Sequence, residues 1–87
     1  MIERLTTNLD ALARMSPAEL ATERGGRIAA DCADAIRLEL DCPQQDLTSD
    51  QRELLSALGD LLDASRRDEA VVRLASTACR ALGVRPG

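Results

Sequence analysis

The chain contains no Phe, Tyr or Trp, no His and no Lys. Each absence excludes something. Aromatic side chains supply the largest single burials in most cores, so any core here must be assembled from Leu, Ile, Val, Met, Cys and Ala. At about 0.8 kcal/mol per buried methylene, such a core is shallow for its residue count. The chain has 87 residues, the length of one small domain. Its core is therefore either thin and well packed or completed by another copy. Self-association is the expectation, with a homodimer as its simplest form.

The missing His removes the usual base for a Ser or Cys nucleophile. It also removes the Glu-x-x-His pairs of di-metal helical bundles. No calcium-loop spacing is present. Arg24-Gly25-Gly26 is not a phosphate loop, because the closing Lys and Ser/Thr are absent. The expectation is no enzyme, no metal and no cofactor. The missing Lys makes all 11 basic residues Arg. Selection for bidentate guanidinium contacts is one reading. The simpler one is a GC-rich coding sequence, which points to a bacterial or phage source.

No apolar run approaches the roughly 20 residues of a membrane span. MIERLTTNLD lacks the basic-then-apolar order of a signal peptide. The three cysteines are odd in number and have no CxxC spacing, so they do not read as a disulfide framework. A reducing cytoplasm and no membrane partner follow as expectations. Cys32 and Cys79 fall on apolar helix faces and read as packing residues. Cys42, beside Pro43 in a turn, reads as the exposed thiol.

What is present is helical. Ile2, Leu5, Leu9 and Leu12 are spaced three, four and three, and Met15 extends the stripe over a first helix, 2–14. Ser16-Pro17-Ala18-Glu19 is a capping box with Pro at the first helical position. It opens a helix that reads through to residue 41, with Ile28, Cys32, Ile36 and Leu40 recurring every four residues. Within it lie Gly25 and Gly26, adjacent glycines that cost roughly 1.6–2 kcal/mol relative to Ala. The apolar spacing carries across them, from Ala21 to Gly25 to Ile28. That continuity favours a helix continuous or merely kinked at 25–26, with another backbone packed against Gly25, over a break in which Gly25 follows a short helix 17–24 and Arg27 restarts the next. Asp31, Asp34, Glu39 and Asp41 read as a solvated acidic face pairing with Arg27 and Arg37.

Thr48-x-x-Gln51 is a second capping box. It precedes the strongest stripe in the chain, Leu54, Leu55, Leu58, Leu61 and Leu62, on a helix over 49–63. Gly59 lies off that stripe. A polar break at 64–68 leads to a last helix, 68–82, carrying Val71, Val72, Ala75, Ala78, Cys79 and Leu82. Gly83 suits the residue after its end, with Val84 folding back on Cys79 and Pro86 beyond. No stretch alternates like a strand. The fold class is all-α: a small antiparallel bundle of about four amphipathic helices.

Net charge is −4 and pI about 4.7, which argues against nucleic acid as the main partner. The distribution is uneven. Residues 1–63 carry 6 Arg against 13 acidic residues, and residues 64–87 carry 5 Arg against 2. Arg66, Arg73 and Arg80 are seven apart and would share a face of one continuous helix, with Arg67 alongside. They are the candidate anion contacts of a small nucleic-acid-associated regulator. The leading expectation is instead a non-enzymatic protein–protein interaction module: an adaptor, assembly subunit or inhibitor of a larger bacterial or phage machine. Its partner is another protein or a second copy of itself. The candidate partner-binding residues are Leu54, Leu55, Leu58, Leu61, Leu62 and Gly25.

Overall fold

The computed structural model describes residues 2–42 and 47–83. Pro43, Val84 and Pro86, to which the sequence assigns helix-stopping or packing roles, lie outside the described residues. Five helices form: α1 (Ile2–Arg14), α2 (Pro17–Leu20), α3 (Glu23–Asp41), α4 (Ser49–Asp63) and α5 (Glu69–Ala81). The chain is an all-α bundle. α1 packs on α3 and α5, α4 packs on the same two, and the short α2 packs on α3.

α1 runs antiparallel to α3 and α4 antiparallel to α5, whereas the ends of α3 and α4 lie together, Arg37 pairing with Asp63. Arg4 near the start of α1 meets Asp31 at 3.7 Å, although the end of α1 leads into α3 within a few residues. The Gln51 side chain at the start of α4 donates to the Ala81 carbonyl at the end of α5 at 2.8 Å. The core is aliphatic: Leu5, Leu9, Leu12, Leu20, Ile36, Leu55, Leu58, Leu62 and Val71, with Ala and Cys between them.

The helix ends follow local hydrogen bonding. Ser16 accepts from the Glu19 N–H while the Glu19 carboxylate accepts from the Ser16 N–H. Thr48 and Gln51 close the same reciprocal pair, at 3.1 and 2.9 Å. After α4, Ser65 takes the left-handed conformation, φ 60°. The Arg66 N–H then reaches the Leu61 carbonyl, and the Ser65 N–H reaches that of Leu62. This is a Schellman motif with Ser where Gly is usual. It ends α4 before Arg66. At the end of α5 the corresponding left-handed position is Gly83, φ 75°.

Three expectations need correction. The helix read as 17–41 is interrupted at Ala21–Thr22 and is unbroken at Gly25-Gly26. Thr22 is extended, φ −74° and ψ 165°, and caps α3 by accepting from the Gly25 N–H at 3.2 Å. Its hydroxyl also donates to the Glu19 carbonyl, so one side chain joins the end of α2 to the start of α3. Glu39 does not lie on a solvated face: it is 1% exposed. Asp31, Asp34 and Asp41 are exposed, and Asp34 pairs with Arg37 at 3.1 Å. Arg27 pairs with Glu23 rather than with that group. Gly59 is buried, and a Cβ there would lie 3.3 Å from Ile36 Cγ2. Its small size sets how closely α3 and α4 approach.

Candidate docking surface

The corner between α2 and α3 is tight because Gly25 has no side chain. A Cβ at residue 25 would meet the Glu19 carbonyl oxygen at 2.4 Å and the Leu20 Cα at 2.7 Å. The backbone of α2 therefore lies directly on the third residue of α3, and Leu20 is driven into the core. Gly26 faces open space: a Cβ there would have nothing within 4 Å.

This corner and the end of α1 enclose an open cleft of about 430 Å³. Ala11, Met15, Gly25 and Ile28 form its apolar side. Arg14, Glu19, Thr22 and Arg24 form its polar rim. Met15 and Ile28 pack against the core yet remain half-exposed. The rim groups differ in availability. Arg14 bonds Asp10 at 3.2 Å, Glu19 is held by Ser16, and Thr22 is the cap of α3. Arg24 makes no ion pair or hydrogen bond among the described residues.

The leucine stripe of α4 divides. Leu55, Leu58 and Leu62 are buried in the core. Leu61 is half-buried and packs against it, and Leu54 is half-buried on the outer side. With Asp50, Glu53 and Ala57, Leu54 lines a second, shallower groove of about 500 Å³. Gly25 is likewise occupied by its own chain. Of the residues expected to bind a partner, only Leu54 and Leu61 present surface outward.

The four arginines do not form one surface. α5 begins at Glu69, so Arg66 and Arg67 sit in the turn before it. Arg66 bonds Asp68 through Nε at 2.8 Å, which holds the Asp68 carboxyl below the usual carboxylate range. Arg67 donates to the Arg66 carbonyl, and Arg73 pairs with Glu69 at 3.0 Å. Arg80 lies in the last turn of α5, where a cation complements the helix dipole. Among the described residues no cluster of three or more His, Cys, Asp or Glu could hold a metal ion.

Burial pushes the Cys32 thiol up to about 12, with Cys79 adding to the shift. Burial also raises Cys79, with Asp10 contributing. Both are free and buried, whereas Cys42 is exposed. The thiolate is the reactive form. A maleimide should therefore label Cys42 rapidly in the native protein and reach all three thiols only in urea, as mass spectrometry would read. Rapid native labelling of Cys32 or Cys79 would contradict this packing.

Sequence reasoning missed Thr22. Its signal was present as Thr-Glu-Arg-Gly, a capping hydroxyl followed by a first-turn acid. The sequence also carried no sign that Met15 and Ile28 would share a cleft, because that depends on the direction of the α2–α3 corner. Among the described residues no helix is long and apolar enough to cross a membrane. No protein-family model matches the chain, and no curated protein or solved structure is significantly similar to it.

Proposed function

We propose that the chain is a protein-docking module with no chemistry of its own, an adaptor or assembly subunit that receives its partner in the α1–α2–α3 cleft. One observation carries this reading. Met15 and Ile28 stay half-exposed at the base of a preformed concavity, beside an arginine that has no partner in its own chain among the described residues. An apolar floor with a few orienting polar groups is the usual make-up of a binding site, and Arg is enriched at the centres of protein interfaces. The floor is rigid because Gly25 fixes the corner and Thr22 ties both helices of it.

A photo-reactive amino acid in place of Arg24, introduced in the native host, tests the reading. Cross-linking to a protein is expected from position 24 and not from Thr77, an exposed position on α5. Adding Ile28→Glu, which places a charge in the cleft floor, should abolish the adduct while circular dichroism stays helical. No protein adduct from position 24, or equal yields from both positions, would sink the proposal.

A further inference from the structure

We propose that the partner the cleft accepts is a second copy of this chain, with Arg24 of one copy seated in the α4 groove of the other. This rests on the docking reading above and names its occupant.

Several charges have no partner at home. Arg24 has none among the described residues, and neither have Asp50, Glu53 and Asp60. Most other exposed carboxylates of the bundle are paired within the chain. The three unpaired carboxylates lie together on α4. Residues 50, 53, 54, 57, 60 and 61 follow helical spacings of three and four, so they share its outer side.

The apolar parts fit as well. Ala57 leaves a depression beside Leu54, flanked by Asp50 and Glu53. An arginine suits such a place: its aliphatic stem packs along Leu54 while the planar guanidinium bonds the two carboxylates. The exchange is reciprocal. Arg24 stands on the rim of the cleft whose floor is Met15 and Ile28. When it enters the α4 groove, Leu54 of that second copy comes over this floor. Two half-exposed apolar surfaces then cover each other, and an oppositely charged pair sets the register.

The cleft lies where α1 ends and α3 begins. The groove lies at the start of α4, which Gln51 ties to the end of α5, while the end of α3 meets the end of α4 through Arg37 and Asp63. Asp10, one turn before the cleft, acts on Cys79 near the end of α5, so both surfaces lie toward the same end of the bundle. A stable interface takes about 800 Å² from each partner. The chain exposes 5181 Å² in all, and one such patch is a modest share of it. Association through one arginine and a few apolar side chains belongs at the weak end of that range.

Multi-angle light scattering of the purified protein over a dilution series tests the proposal. The average mass should rise with concentration above that of the monomer and fall in high salt. Arg24→Ala should weaken association by about tenfold or more, and so should the pair Asp50→Asn with Glu53→Gln. All these positions are exposed, so both variants should keep the wild-type helical circular dichroism. Mixing them in equal amounts should restore one junction and raise the mass above that of either variant alone, because one variant retains the groove and the other the arginine. A photo-reactive residue at position 24 in the purified protein should mark residues 50–61 of a second copy.

Three results would overturn the proposal: a monomer at every concentration, association that both variants retain, or a mixture no heavier than either variant alone. A purified protein that stays monomeric while position 24 captures a different protein in the host removes self-docking and leaves the docking module standing. Failure of both experiments removes the docking reading itself.

Discussion

Replacing Gly25 by Ala should destabilise the protein by about 3 kcal/mol, whereas Gly26→Ala should stabilise it by about 1 kcal/mol. The two residues are adjacent on one helix, and Ala has the higher helix propensity at both. What separates them is space. A Cβ at residue 25 would lie 2.4 Å from the Glu19 carbonyl oxygen and 2.7 Å from both the Leu20 Cα and its carbonyl oxygen. These are backbone atoms of a short helix held by the Ser16–Glu19 capping box. They move only if the Thr22 cap opens or Leu20 leaves the core. At residue 26 the same methyl meets nothing, so the propensity gain is kept. Urea titration at unchanged m-value is the measurement. Effects of the same sign at the two positions would mean that the corner is not packed as described.

The second large effect separates core from surface on α4. Leu58→Ala should cost about 3 kcal/mol, in the range of buried leucine truncations. Leu58 is 0% exposed, and the core contains no aromatic side chain to fill the void. In a domain this small that loss lowers the melting temperature by roughly 12–24 °C. Leu54→Ala, on the same apparent stripe, should cost under about 1 kcal/mol. If Leu54 mattered as much to folding as Leu58, it would be a core residue and the groove beside it would not be a docking surface. Thermal unfolding followed by circular dichroism gives both numbers.

Much of the fold was legible because it is written in local chemistry. The capping boxes at Ser16 and Thr48 announce helix starts through hydrogen bonds that span only three residues. The leucine spacing in α1 and α4 announces buried faces. The stripe assigned to α3 shows where this ends. Ile28, Cys32, Ile36 and Leu40 recur every four residues, but each such step turns the helix by about 40° beyond a full circle. Ile28 and Leu40 thus point about 120° apart, and both are only half-buried. The face that packs runs through Gly25, Ala29, Cys32, Ala33 and Ile36, and Glu39 is carried inward with it.

The Gly-Gly pair was legible in one of its two alternatives. Continuity of apolar spacing favoured a close contact over a break, and Gly25 is such a contact. The break itself sits three residues earlier, at Thr22. Its capping sequence, Thr-Glu-Arg-Gly, stands inside an unbroken apolar rhythm that masks it. The docking surface was less legible still. Periodicity marks Leu55, Leu58 and Leu62 as strongly as Leu54, and it cannot tell a face turned to the core from an edge turned to solvent.

The most direct test of the docking account is a dilution series read by backbone amide NMR. With rising concentration, shifts should move at Arg14–Met15 and Arg24–Ile28 on the cleft, and at Asp50–Ala57 on the outer side of α4, while Val71–Cys79 on α5 stay fixed. Shifts concentrated on α5, or none at either the cleft or α4 up to the highest soluble concentration, would contradict it.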